Sequence, residues 1–515
     1  MMAGPLSARL AAAALVALAA ALTSAPQPPA TLRGGEALAR VYDFILEARF
    51  DQVAAELRRA CGPAPPEACD VLDATALWWR ILLDPENRAL DDEFSASAER
   101  AIRTTEEWTE RSPSDAESWF YLGGAYATRV QWRVLRNEKL AAARDGKRIK
   151  TALERAVTLD PDLDDAYFGI GLYKYYADVA PTAAKLFRFL LLLPGGDRDE
   201  GLAEMLRARN KGRLLQGEAD YQLHIIYLWY ERQTPRALEI LRGLQERYPG
   251  NPLFLAQIAD IQDVYQHDIT ASLDSWRALL AAAREQRANI ASLAEVTARL
   301  GVARQLEALH QTDHAIEQLQ AVVKLKPQAP YSSLARAHLQ LGEAHDRLGA
   351  RVAATGAYRA AIATAPPGDP YDVKGQATER LQRAPDARRA TANRLSLDGW
   401  RSLERDELPA ASAALERSVA LDPQNPVARY RLGRVLQARN DDAAALPHFE
   451  AAIRAARTCP APILATAYLE AARLHERAGH RDQALGYYRA AATQFGGSTD
   501  TRVAAARALK RLSAG

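Results

Sequence analysis

Residues 425–453 read NPVARYRLGRVLQARNDDAAALPHFEAAI. Gly433 is a small residue on a first helix, and Ala445, Phe449 and Ala452 follow 12, 16 and 19 positions later on a second. Small residues at 433 and 445 let two antiparallel helices approach closely, while Leu432 and Phe449 fill the space beside the contact at the spacing of buried helix faces. Pro423 closes the preceding pair, and Gly399 lies 34 residues before Gly433. The stretch is one unit of a repeating helix pair.

Composition agrees. Hydrophobic residues make up 48% and charged residues 25% of the 515 residues, with Ala, Leu, Arg and Glu prominent and few β-branched runs, an all-helical profile. The length exceeds what one compact core usually holds, so a repeat array explains it best. A 34-residue period of helix–turn–helix units resembles the tetratricopeptide repeat (TPR) family. That resemblance implies an all-α fold, a right-handed superhelical solenoid of TPR-like pairs. The 66 basic and 64 acidic residues are interspersed and give a net charge of +2, which leaves no electrostatic footprint for nucleic acid.

Residues 1–25 differ from the rest. Arg9 precedes an apolar run from Leu10 to Leu22, then come Thr23-Ser24-Ala25 and the Pro-rich Pro26 to Pro29. This pattern predicts an export signal, hence a periplasmic or secreted protein. The run is short against the roughly 20 residues that span a bilayer, so a permanent anchor is the weaker reading. No cysteine follows the run, which argues against a lipid anchor. Cys61 and Cys69 bracket Gly62-Pro63-Ala64-Pro65-Pro66, a loop that cannot continue a helix. In an exported protein the two read as a disulfide rather than two thiols. Cys459, between Thr458 and Pro460, reads as a partly buried free thiol rather than an intermolecular bridge.

The chain divides into an N-terminal helical region with degenerate repeats (34–215), a central array (216–365), a linker or irregular helices (366–394), and a C-terminal array with a closing helix (395–515). The first repeat begins near Glu36, with Leu38, Val41 and Ile45 on one helix and Val53, Leu57 and Ala60 on the next. From Ser114 the pattern continues through Trp119, Leu122, Gly123 and Tyr126. Between Arg129 and Arg148 lies an insertion with Arg133, Arg136, Lys139, Arg144, Lys147 and Arg148. An anion or membrane-headgroup patch is one reading; a lengthened helix with a solvated charged face is the favoured one. Pro366-Pro367-Gly368-Asp369-Pro370 breaks the phase, and Arg502 to Leu512 reads as a closing helix.

Asp165 to Gly201 is the least generic segment. Tyr167, Gly171, Ala183 and Phe187 keep the register, but Leu190-Leu191-Leu192-Leu193 ends in Pro194-Gly195-Gly196, and a helix restarts at Asp197, whose side chain is placed to cap with Glu200 returning the bond. This combination resembles the tetratricopeptide repeat protein 39 family, whose members carry a similar Gly-rich helix, a Leu-rich stretch ending at Pro and a Gly-Asp-Arg-x-x-Gly-Leu restart. The resemblance covers residues 115–260, implies an interaction scaffold and brings no catalytic residues. Gly169-Ile170-Gly171 lacks the third glycine and the strand of a dinucleotide loop. The apolar run 186–193 is too short to cross a membrane and reads as a buried helix rather than a membrane-touching one.

Catalytic, cofactor and metal constellations are poor. His475-Glu476-Arg477-Ala478-Gly479-His480 resembles a zinc-protease motif, but its histidines are five apart, about 140° around a helix, so they are not expected on one face. His310 and His314 straddle a turn, and His338 and His345 occupy packing positions. No Gly-x-Ser-x-Gly elbow or phosphate-binding Gly-x-x-x-x-Gly-Lys run occurs. The chain reads as a non-enzyme, without cofactor or metal.

The TPR resemblance also assigns faces, because positions 2, 5, 9 and 12 of a first helix line the concave groove. Those positions are Trp400, Tyr430, Arg434, Gln437, Arg473 and Glu476 in the C-terminal array, with Arg336, Leu339, Glu343 and Asp346 in the unit before. The Lys and Asn pattern that clamps a terminal carboxylate is absent, since Tyr430 and Arg434 stand there. An aromatic flanked by arginines suits a peptide segment with an apolar anchor and an acidic neighbour. The expected function is an exported protein–protein interaction scaffold; the alternatives are a membrane-associated envelope assembly factor and an enzyme with an unrecognised site.

Overall fold

A computed structural model of the chain describes residues 32–179 and 195–514. The export signal at 1–25, the apolar run 186–193 and the register positions Ala183 and Phe187 lie outside the described residues. Among those described there are helices and no strands. The chain forms two compact units, the first from residues up to Ile45, Phe50–Trp78 and Asp91–Ala219, the second from Leu46–Arg49, Trp79–Leu90 and Asp220 onward.

The first unit carries all or most of α1 (Gly35–Leu46), α2 (Phe50–Ala60), α3 (Pro66–Leu82), α4 (Asp91–Arg111), α5 (Ala116–Leu135), α6 (Lys139–Leu159), α7 (Ala166–Val179) and α8 (Arg198–Lys211). Cys61 and Cys69 are joined across the proline loop between α2 and α3, their Cα atoms 6.2 Å apart. The basic insertion lengthens α5 and α6 to 20 and 21 residues. Several of its charges are answered by nearby carboxylates. Buried Asp145 accepts from Arg129 Nε at 2.8 Å and from Arg133, and Arg136 makes two bonds to Asp91 at 2.7 and 2.8 Å. Gly171 meets the helix restart directly: a Cβ added there would stand 2.5 Å from Gly201 O, and one added to Gly201 would stand 2.6 Å from Gly171 O. Two residues without side chains let α7 and α8 touch backbone to backbone. Asp197 caps α8, accepting from Glu200 N at 2.9 Å.

The second unit continues with α9 (Gln216–Trp229), α10 (Thr234–Arg247), α11 (Pro252–Val264), α12 (Ile269–Arg284), α13 (Ala291–Ala308), α14 (Thr312–Leu325), α15 (Ser333–Arg347), α16 (Arg351–Thr364), α17 (Val373–Gln382), α18 (Ala387–Glu404), α19 (Leu408–Leu421), α20 (Pro426–Ala438), α21 (Asp442–Arg454), α22 (Ala461–Arg477), α23 (Arg481–Thr493) and α24 (Thr499–Ala514). From α10 to α17 and again from α18 to α24, each helix packs on the next, and first helices of successive pairs also touch. The small-and-large pairing is regular. Gly342, Gly399 and Gly433 face Tyr358, Leu415 and Phe449, each 16 residues on, at distances only a glycine permits. Ala315, Ala354, Ala411, Ala445 and Ala484 are fully buried at the matching place on the second helices.

The turns within pairs repeat as well. Each holds one residue at positive φ: Arg232, His267, His310, Gly349, Asp406, Asn440 and Gly479 in the second unit. The amide after it bonds back five residues in several turns, as from Asp441 N to Leu436 O at 2.9 Å and from Glu407 N to Ser402 O at 2.8 Å. This Schellman arrangement satisfies the last carbonyls of the first helix and turns the chain into the second. Some second-unit helices start on side-chain caps, Asn425 accepting from Val427 N and Ala428 N and Asp441 from Ala444 N.

Candidate interaction surface

The groove positions of the C-terminal array lie on α18, α20 and α22. Tyr430 is only 8% exposed. Its ring sits 6.3 Å from Trp400 and 6.0 Å from Phe449, and it belongs to a cluster with Ala445, Ala467 and Ala471. The small alanines leave room that the phenol fills. Tyr430 is therefore a packing aromatic, which corrects its expected place as a groove anchor; its hydroxyl accepts from Arg434 Nη1 at 3.2 Å. Trp400 is half-buried, with the Arg431 guanidinium 5.6 Å above its ring.

The near end of this face is covered by the α13–α14 turn. Arg431 is buried and donates to Ser396 Oγ at 3.0 Å and His310 O at 2.8 Å. Burial, with the Arg401 charge beside it, pushes its pKa down to about 10. Arg401 grips Asp313 with two bonds of 2.6 Å. Although burial opposes ionisation there, the Arg401 bonds hold the Asp313 carboxyl below the usual range.

The face of α15 is covered too. Arg336 stacks 4.2 Å above the Tyr371 ring and Glu343 lies 3.2 Å from Arg380, both partners belonging to α17 or the segment leading into it. Leu339 is buried, and buried Asp346 accepts from Arg351 Nη1 at 2.7 Å and Tyr358 Oη at 3.1 Å. Arg336, Leu339, Glu343 and Asp346 thus form no open groove, because α17 and the segment leading into it fold back over α15 and α16 holds Asp346.

What stays accessible runs from α20 to α24. Gln437 Nε2 donates to Glu470 Oε2 at 3.1 Å, and Glu470 also accepts from Arg473 Nη1 at 2.8 Å. Glu476 accepts from Tyr488 Oη at 2.5 Å and Arg511 Nη2 at 2.6 Å, bonds that hold its carboxyl below the usual range. Between α22, α23 and α24 opens a cavity of about 420 Å³, lined by Leu469, Ala504 and Ala508, by Tyr488 and Glu476, and by Arg473, Arg477, Arg507 and Arg511. The sequence showed Arg473 and Glu476 on a groove position; the contribution of the closing helix was missed, although Arg507 and Arg511 at helical i, i+4 spacing were a usable signal.

The histidine pair needs correcting. His475 Nδ1 and His480 Nδ1 lie 3.4 Å apart, because Gly479 at φ +77° folds the chain back after α22. The 140° separation applied only to a helix continued through residue 480. His475 stacks on Tyr487 at 5.4 Å, its Nε2 3.6 Å from Glu450. Among the described residues no group of three His, Cys, Asp or Glu side chains is arranged to hold a metal. Burial, with Arg347 and Arg431 nearby, pushes His310 down to about 3, so it is neutral near pH 7.

No protein-family model and no curated protein matches the chain. Solved structures that resemble it include a tetratricopeptide repeat protein from Parabacteroides merdae, 14% identical over 58% of this chain and 99% of that one, with a TM-score of 0.26. The TPR domain of P58(IPK) is 14% identical over 86% and 98%, with a TM-score of 0.23. The human IFIT1 dimer with m7Gppp-AAAA is 14% identical over 82% and 94%, with a TM-score of 0.33. Superpositions at these scores carry no argument about function. The helix pairs themselves make the fold TPR-like and all-α; the finer resemblance to the tetratricopeptide repeat protein 39 family has no counterpart in these comparisons.

Proposed function

We propose that this chain of TPR-like helix pairs is an exported scaffold that binds partner proteins or peptide segments along its C-terminal pairs. Stacked repeats present an extended polar surface on a core built of helix-to-helix contacts. The observation that carries the reading is the accessible row from Arg434 and Gln437 on α20 to Arg473 and Glu476 on α22, bridged by Glu470. Export is supported by the signal-like pattern of residues 1–25 and by the joined Cys61 and Cys69, a bond that persists in oxidising compartments. Affinity capture from the cell envelope, comparing the natural chain with an Arg434→Ala/Gln437→Ala variant, tests the surface. Partners lost in the variant while its helical circular-dichroism signal is unchanged support it; the same partners in both overturn it.

A second reading, membrane association, draws on Trp229, Val264 and Tyr265, exposed apolar residues at the ends of α9 and α11 in successive pairs. Among the described residues no helix is long and apolar enough to cross a membrane. Extraction from membranes with and without residues 1–25 separates the readings: a chain lacking them that still needs detergent favours membrane association.

A further inference from the structure

The arginine-walled cavity between α22, α23 and α24 has more positive charge than its own carboxylate answers. Four arginines and one glutamate line it. Arg473, Arg477 and Arg511 are held by Glu470, Asp442 and Glu476, yet their side chains stay 45%, 53% and 65% exposed. Arg507, on the exposed side of α24, makes no ion pair among the described residues. Guanidinium groups crowded at one mouth repel each other, and a carboxylate entering there gains paired, charge-assisted bonds.

We infer that this cavity receives an acidic peptide segment of a partner, its carboxylates on Arg507 and Arg477 and a small apolar side chain against Leu469, Ala504 and Ala508. The inference rests on the scaffold reading and names the chemistry of what the scaffold binds. A peptide fits better than a nucleic acid for two reasons on this surface. Glu476 stands among the arginines; it can accept from a peptide N–H group, whereas a phosphodiester chain brings a fixed negative charge at every nucleotide, which that carboxylate repels. The apolar lining gives a side chain somewhere to go, and the basic groups are confined to one mouth rather than spread as a track.

Fluorescence anisotropy of a labelled hexaglutamate peptide with the full processed chain at low salt tests this, with hexaglutamine and a six-nucleotide RNA as comparisons. Saturable binding of hexaglutamate, absent for hexaglutamine and weakened about tenfold by Arg507→Glu, is the expected result. Arg477→Glu supplies a second variant, and thermal melts of both check that the fold is kept. No binding of hexaglutamate, equal binding of hexaglutamine, insensitivity to both substitutions, or tighter RNA binding with the same sensitivity overturns the inference. If hexaglutamate fails while Arg434→Ala/Gln437→Ala still loses captured partners, the anionic peptide class is wrong and the scaffold reading stands.

Discussion

A Cβ built on Gly433 would stand 2.8 Å from Cε1 of the Phe449 ring, so α20 and α21 are spaced by the absence of a side chain. Ala445, fully buried one turn before Phe449, holds the same distance from the other side. Gly433→Ala and Ala445→Leu should each overpack the contact and destabilise the chain by about 1–3 kcal/mol. Thermal or denaturant unfolding checks this, and an unchanged midpoint for both would sink the assigned register.

Tyr430 and Arg434 should separate cleanly. Removing a core aromatic costs about 3–5 kcal/mol, so Tyr430→Ala should lower stability heavily. Arg434→Ala should change it by no more than about 1 kcal/mol. Tyr430→Phe keeps the ring between Trp400 and Phe449 and loses only the Arg434 bond. Equilibrium unfolding of the three variants measures the split; any partner defect is then read from Arg434→Ala alone.

His224 is buried beside Tyr221, their rings 4.8 Å apart, and burial pushes its pKa down to about 3. The unfolded chain takes up a proton near the ordinary value of about 6.5 while the folded one does not. Stability from neutral His224 is therefore complete above that value and declines as pH falls toward 3, by up to about 1.4 kcal/mol per pH unit. Buried carboxyls such as Asp165 and Glu117, whose pKa values burial raises, act with the opposite sign. The test is the stability difference between the natural chain and His224→Gln across pH 4–7; a difference independent of pH contradicts the assignment.

Cys459 is buried and its thiol is pushed up to about 12 by burial, so it should resist alkylation in the folded chain. Unfolding without reductant should expose that thiol alone, and reductant should raise the count to all three cysteines. Replacing Cys61 and Cys69 with alanine should cost roughly 2–3 kcal/mol, the loop-closure value for so short a loop. Mass analysis of alkylated protein and a melt of the variant check both parts.

The sequence by itself determined the repeating unit. Glycine or alanine at one place on a first helix and a large residue 16 positions on are local facts, and Gly342, Gly399 and Gly433 behave alike for that reason. The turns were less legible: His310, Asp406 and Asn440 adopt the left-handed conformation that Gly349 and Gly479 adopt at the same place, and a glycine-based reading finds only the last two.

Which faces remain open was decided by tertiary structure. Residues far apart in the chain cover them: Arg401 with Asp313, 88 residues away, and Arg431 with His310 O, 121 residues away. Helical periodicity assigns a side to each residue of a pair, but the small rotation between stacked pairs accumulates over several of them, and only the summed geometry brings the α13–α14 turn onto α18 and α20 or α17 onto α15. The same geometry buried Tyr430 and left the arginines of α22 and α24 around an accessible cavity.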